Sequence, residues 1–197
     1  RVGIVKDEFD LLKKAVKNNI NSDLVLISGG SSVGVKDMTI DLLNSLGEPG
    51  VLLHGLSIKP GKPTILAVID ETPVIGLPGH PASAWTVSRI LLEPIIKFLI
   101  GEIKIDELDK KIKKEGFEAV FKAELTRNIV SDKGREEYLP VKLINDGDKL
   151  KAKPIVGKSS LITTLVSGDG LLKIKTFEEG KNKGDLVKVE LIEPGIY

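Results

Sequence analysis

The stretch Asp23-Leu24-Val25-Leu26-Ile27-Ser28-Gly29-Gly30-Ser31-Ser32-Val33-Gly34-Val35-Lys36-Asp37 decides the fold class. Residues 23–28 form a short continuous apolar run, the mark of a strand buried on both faces of a parallel sheet. A Gly/Ser loop follows. The spacing of Ile40, Leu42, Leu43 and Leu46 then predicts a helix that Gly47 and Pro49 stop. Strand, glycine-rich loop and helix in that order open an α/β unit.

The pattern extends outward on both sides. Residues 2–5 are apolar and β-branched and read as a strand. Asp7 stands where an N-cap would precede a helix bearing Phe9, Leu11, Leu12, Ala15 and Val16 on one face. Downstream, strands are predicted at about 51–54, 64–69 and 74–77, the last two joined as a hairpin through Glu71-Thr72-Pro73. Residues 83–100 are strongly apolar, but Arg89, Glu93 and Lys97 recur every four residues and share a helix face. That segment is an amphipathic core helix, not a membrane span, with a kink expected at Pro94.

Composition shifts beyond this point. Residues 1–101 carry 10 basic and 10 acidic side chains, whereas residues 102–197 carry 19 and 18. The expected organisation is an α/β domain with a mainly parallel sheet at 1–101, a charged linker at 102–116 and a β domain at 117–197. In the last part, alternation at 117–125, 138–144, 149–155, 171–175 and 186–192 is broken by turns at Asn145–Asp148 and Gly168–Gly170. Five short strands there suggest a small all-β barrel or sandwich.

The whole chain has 197 residues, 41% of them hydrophobic, and a formal charge of +1. It is too hydrophobic for intrinsic disorder. The near-zero charge offers no general attraction for nucleic acid or a membrane surface, so any anion site is local. With no cysteine, disulfides, thiolate metal sites and thiol nucleophiles are excluded, and two histidines nearly exclude a multi-histidine metal site. Arg1 runs straight into strand-like residues, and the chain is read as the rear part of a longer protein.

Three loops could hold an anion. In Ser28–Asp37, glycines let the backbone approach a ligand, and N–H groups at the helix start favour phosphate. The loop fits neither a dinucleotide nor a Walker fingerprint, and a tight turn capped by Asp37 is the bland alternative. Lys59-Pro60-Gly61-Lys62-Pro63 holds two ammonium groups on a backbone stiffened by two prolines, both expected to face solvent. Its alternative is a solvated turn. Gly76-Leu77-Pro78-Gly79-His80-Pro81-Ala82-Ser83 leads into the apolar helix, where Ser83 or free amides could bind an anion. His80, between two prolines, reads as an exposed turn residue.

Taken in order and spacing, these three loops resemble the molybdopterin molybdenumtransferase family, that is, MoeA and the gephyrin E-domain. Gly134-Arg135-Glu136 and Gly157-Lys158-Ser159-Ser160-Leu161 are similar to that family's C-terminal β domain. The resemblance covers nearly the whole chain but only the rear two of four family domains. It implies a molybdopterin-binding-type α/β domain lacking its first elements, followed by the family's β domain. The implied reaction is Mg²⁺-dependent insertion of molybdate, or tungstate, into adenylylated molybdopterin with release of AMP. Ser28, Gly29, Gly30, Ser31, Ser32 and Gly34 would hold the pterin phosphate side. Asp37 and Asp7 would be catalytic carboxylates, with Asp37 toward Mg²⁺. Lys59, Lys62, Ser83, Arg135 and Ser159 match molybdate contacts, with Pro60, Gly61, Pro78, Gly79 and Pro81 shaping their loops. His80 stands where the family usually has Asn, Ser31 where it has Val, and Lys158 and Ser160 where it has Gly.

The resemblance further implies a homodimer that meets an upstream adenylyltransferase, and with nothing in the sequence pointing to export a cytoplasmic location is expected. It leaves two alternatives: a molybdopterin adenylyltransferase, against which the second domain speaks, and a non-catalytic pterin-binding or scaffold module. This segment alone is expected not to turn over, because the family's other elements lie upstream of Arg1.

Overall fold

The computed structural model describes residues 2–29, 35–106, 120–155 and 167–192, with the backbone alone for 35–37. In chain order, the first elements are α1 (Phe9–Lys17), β1 (Val25–Ser28), α2 (Val35–Asn44), β2 (Pro49–His54), β3 (Ile58–Lys59), β4 (Ile65–Ile69) and β5 (Thr72–Leu77). Then come α3 (Pro81–Val87), α4 (Glu93–Leu99), β6 (Val120–Leu125), β7 (Ile129–Val130) and β8 (Glu136–Asp146). The last four are β9 (Lys149–Pro154), β10 (Gly170–Ile174), β11 (Gly180–Lys181) and β12 (Leu186–Leu191).

Two compact units result: Arg1–Leu56 with Gly61–Ser88, and Ser57–Pro60 with Arg89–Tyr197. The division thus falls within the apolar helix rather than at residue 101, and β3 goes with the second unit because it pairs with β8. Residues 107–116 of the expected linker and 117–119 of the first expected β-domain strand lie outside the described residues.

The first unit is α/β, with a sheet ordered β1-β5-β4-β2. Only β1 and β5 run parallel. β5–β4 and β4–β2 are antiparallel, so the sheet is mixed rather than mainly parallel. The cause is the tight Asp70–Glu71 reversal, which folds β4 back on β5 as a hairpin. Helices α1 and α2 cover one face. Val16, Leu42 and Leu43 pack there against Val25, Ile65, Ala67, Ile69 and Val74.

Burial on both faces belongs to β5, whose residues Val74–Leu77 are all buried. It does not belong to β1, where Leu26 is 45% exposed. β1 ends the row of described strands, so its outward residues lack the cover that a central strand has. Residues 2–5 form no strand, and Ile4 is almost fully exposed.

The apolar segment is helical from Pro81 to Leu99, interrupted by a five-residue π turn at Ser88–Leu92. Pro94 has no N–H, and its ring crowds the carbonyl four residues back, so the ladder widens just before it. Glu93 bridges Arg89 at 2.6 Å and Lys97 at 3.3 Å, the polar face expected from their spacing. Among the described residues no helix is long and apolar enough to cross a membrane.

The second unit is a small β-barrel. Its strands run β10-β12-β6-β9-β8, and pairing of β8 with β10 closes the ring. Alternation sends Ala123, Leu125, Val141, Ala152, Leu172, Val187 and Val189 inward. The β8–β9 hairpin turns at Gly147, whose φ of 62° suits glycine.

Candidate functional site

Strand directions gather the loops of the first unit. The register pairs Ser28 with Leu77, Ile65 with Gly76, and His54 with Ile65. The carboxyl ends of β1, β5 and β2 and the start of β4 therefore lie at one end of the sheet. Three segments leave from that end: the one from Gly29 to α2, the one around Gly61–Thr64, and Pro78–His80 before α3. This is where α/β sheets place ligands.

Within the first segment, Ser28 and Gly29 are exposed, and Gly29 has a φ of 113° open only to glycine. Gly30, Ser31, Ser32 and Gly34 lie outside the described residues, as does the side chain of Asp37. Helix α2 already runs from Val35, so Asp37 sits in its first turn and is not its N-cap. Asp7 is not a cap either. That position of α1 is held by Glu8, with no side-chain capping bond, and Asp7 is exposed.

The second segment is held from within. The Lys62 carbonyl accepts from the Leu56 and Thr64 N–H groups, each at 2.9 Å, and Gly55 N–H donates to the Thr64 carbonyl at 2.8 Å. Thr64 is fully buried and its Oγ1 donates to the Gly61 carbonyl at 2.7 Å. Gly61 is buried with a φ of 121°, so the turn requires glycine there. The bonds turn the backbone inward, while the Lys62 side chain is exposed and makes no ion pair among the described residues.

In the third segment Pro78 is buried, whereas Gly79, His80 and Pro81 are exposed. His80 is the N-cap of α3 in extended conformation, with no side-chain capping bond, and Pro81 opens the helix. Ser83 is buried within the first turn of α3.

Lys59 and Pro60 belong to the second unit, where β3 runs parallel to β8 and Lys59 stands opposite Glu137. The Glu136 N–H donates to the Ser57 carbonyl at 2.9 Å, which brings half-buried Arg135 beside the same strand. Lys59 is exposed as expected, but its ammonium is also paired, with Nζ 3.1 Å from Glu137 Oε1 and 3.9 Å from Asp132 Oδ2. Its side chain is 45% exposed and that of Glu137 only 9%. The Ser131 Oγ donates to Glu137 Oε2 at 2.6 Å. A buried carboxylate needs a counter-charge, and Lys59 supplies it. Ser159 lies outside the described residues.

One polar cluster of the barrel was not anticipated. The Tyr138 hydroxyl donates to Glu136 Oε2 at 2.9 Å, Lys173 Nζ is 3.0 Å from the same oxygen, and Lys173 lies over the Tyr138 ring. Burial first, then the neighbouring carboxylates of Glu136 and Glu190, push the phenol above its ordinary range.

Comparison with known proteins agrees with this layout. Residues 1–97 match the family described as a probable molybdopterin binding domain, and residues 122–192 match the MoeA C-terminal region, domain IV. A protein of Methanocaldococcus jannaschii, named for molybdopterin biosynthesis, is 32% identical over 96% of this chain and 42% of its own length. The molybdopterin molybdenumtransferase of Haemophilus influenzae is 28% identical over 96% of this chain and 45% of its own. The solved structure of the MoeA molybdopterin biosynthesis protein of Pyrococcus horikoshii superposes with a TM-score of 0.65 at 33% identity, over 96% of this chain and 42% of that one. The chain thus spans less than half the length of these relatives. With both of its units matched in order, it belongs to the MoeA family.

Proposed function

We propose that this chain carries the pterin- and oxyanion-binding part of a molybdate-insertion reaction in molybdenum cofactor biosynthesis. Adenylylated molybdopterin and molybdate (or tungstate, of the same charge and nearly the same size) are the substrates, and AMP leaves. What supports the reading above all is the gathering of Gly29, Gly61–Lys62 and Pro78–Ser83 at the ligand end of the first unit's sheet. On this reading the loop after β1 and the first turn of α2 take the phosphate side. Lys62 and Ser83 in the first unit, and Lys59, Arg135 and Ser159 in the second, are each proposed as cations or donors of the kind a small tetrahedral dianion needs.

Asp37 and Asp7 are the proposed reacting carboxylates. Mg²⁺ binds through one or two carboxylates together with waters and substrate phosphates. Asp37, in the first helical turn, is the carboxylate proposed for that donor role, and Asp7, exposed and with no capping duty, is left free to act on the substrate. Mg²⁺ held there would offset the negative charge of the substrate phosphates. A homodimer in the cytoplasm, receiving substrate from an adenylylating enzyme, belongs to the same proposal.

The test has two stages. Adenylylated molybdopterin is titrated into the chain, and molybdate is then added while AMP is measured. Saturable binding is expected. Molybdate-dependent AMP release identifies the transferase, binding without release supports the binding role alone, and no binding refutes the proposal.

A further inference from the structure

If Lys59 presents its ammonium to an oxyanion, as proposed above, something must fix where that ammonium sits. The second unit contains such a device. The β3–β8 ladder sets the Lys59 backbone opposite Glu137. Glu137 then uses its two oxygens on different partners: Oε1 faces Lys59 Nζ at 3.1 Å, and Oε2 accepts from Ser131 Oγ at 2.6 Å. Ser131 and Glu137 are both buried, so the carboxylate cannot swing into water without losing the hydroxyl. Asp132 is different. It lies 3.9 Å from the same ammonium, too far for a hydrogen bond, and is 73% exposed.

We propose that Glu137 is a positioning residue for oxyanion binding, acting through Lys59, with Ser131 fixing Glu137 in turn and Asp132 competing for the same ammonium. An ammonium has three N–H donors, and Glu137 occupies one. The others remain for an anion, on a side chain whose rotamer freedom is already spent by the pair. The proposal rests on the oxyanion reading of Lys59.

Electrostatics alone and positioning predict opposite signs, which makes the test sharp. Removing any negative charge beside Lys59 should tighten anion binding if charge is all that matters. Positioning predicts that Glu137→Gln weakens it even though a negative charge has gone. Molybdate is titrated calorimetrically into the full chain and into Glu137→Gln, Ser131→Ala and Asp132→Asn at fixed ionic strength. The expected results are weakening of about ten-fold for Glu137→Gln and about three-fold for Ser131→Ala, with tightening of about two- to three-fold for Asp132→Asn, in the range for single charge-assisted contacts. Ser131→Ala keeps the ion pair, so it carries the test if Glu137→Gln does not fold. Tighter or unchanged binding in both variants would overturn the proposal.

Acetic anhydride labelling of the free protein, read by mass spectrometry, separates this from the oxyanion reading. Lys59 should react more slowly than Lys62, and Glu137→Gln should abolish the difference. Equal rates in the wild type would mean that the ammonium is not held, which overturns the proposal directly. No molybdate binding by the wild type would refute the oxyanion reading, and the positioning role with it.

Discussion

Lys59 and Lys62 sit three residues apart, yet replacing each with alanine should have very different effects on stability. Removing Lys62 takes away an exposed ammonium with no ion pair among the described residues, a change expected to stay within about 0.5 kcal/mol. Removing Lys59 strips the counter-charge from Glu137, whose side chain is 9% exposed. At 3.1 Å the pair's attraction is about 1 kcal/mol at the dielectric of water and about 5 kcal/mol at an effective value of 20. Lys59 is itself 45% exposed, so solvent screens the pair and the lower part of that range applies. The Ser131 hydroxyl still serves one carboxylate oxygen, which limits the loss further. We expect Lys59→Ala to cost about 1–2 kcal/mol, most of it the penalty for a buried carboxylate left without its counter-charge.

The loss should appear in the barrel, because Glu137 belongs to β8. For a domain of that size, about 1 kcal/mol corresponds to a shift in Tm of about 4–8 °C. Calorimetric melting can resolve the two units if they unfold separately, and hydrogen exchange of the β8 and β10 amides assigns the effect to the barrel. Lys59→Met keeps the aliphatic stem and isolates the charge. Equal melting of the Lys59 and Lys62 variants would refute the reasoning, since it would mean that Glu137 needs no cation.

Other outcomes follow from the same structure. Tyr138 keeps its proton in the folded barrel at pH values where an unfolded tyrosine has lost it, so its contribution to stability is complete below about pH 10 and declines above it. Tyr138→Phe should remove that part of the alkaline decline, followed by circular dichroism and by phenolate absorbance. Leu43→Ala empties a fully buried site under the first unit's sheet and should cost about 2–5 kcal/mol by urea unfolding. Gly61→Ala forces a side chain onto a φ of 121° and should cost about 1–3 kcal/mol while weakening molybdate binding in the same titration. Asp37→Ala should change stability by no more than about 1 kcal/mol, the value of a first-turn acid, yet abolish molybdate-dependent AMP release when the chain is assayed with the family's upstream domains attached. Activity surviving in that variant would leave Asp37 as a helix residue only.

Much of the fold was legible because burial is periodic. Alternation placed β8, β9, β10 and β12, with ends within two residues, and the break in the helix just before Pro94 followed from a missing N–H. What escaped was set by neighbours rather than by local pattern. Leu24–Ile27 is as apolar as Val74–Leu77, but only β5 has a described strand on each side of it. Ile58-Lys59 is too short to announce a strand and becomes one only because Glu136 and Glu137, far along the chain, offer a free edge.

The candidate site divided in the same way. Gly29, Gly61 and the Pro78–Pro81 turn were legible because glycine at positive φ and proline at a helix start leave a mark in sequence. The partners of Lys59 were not, since no spacing links it to Ser131, Asp132 or Glu137. The motif Gly134-Arg135-Glu136 stopped one residue short of the carboxylate that matters to Lys59.

Backbone amide mapping by NMR during titration with adenylylated molybdopterin tests the central claim most directly. The claim predicts shift changes concentrated at Ser28–Gly29, Lys62–Thr64 and Gly79–Ser83, with little change at the Asp70–Glu71 turn at the far end of the same sheet. Changes centred on that far turn, or none at saturating ligand, would contradict it.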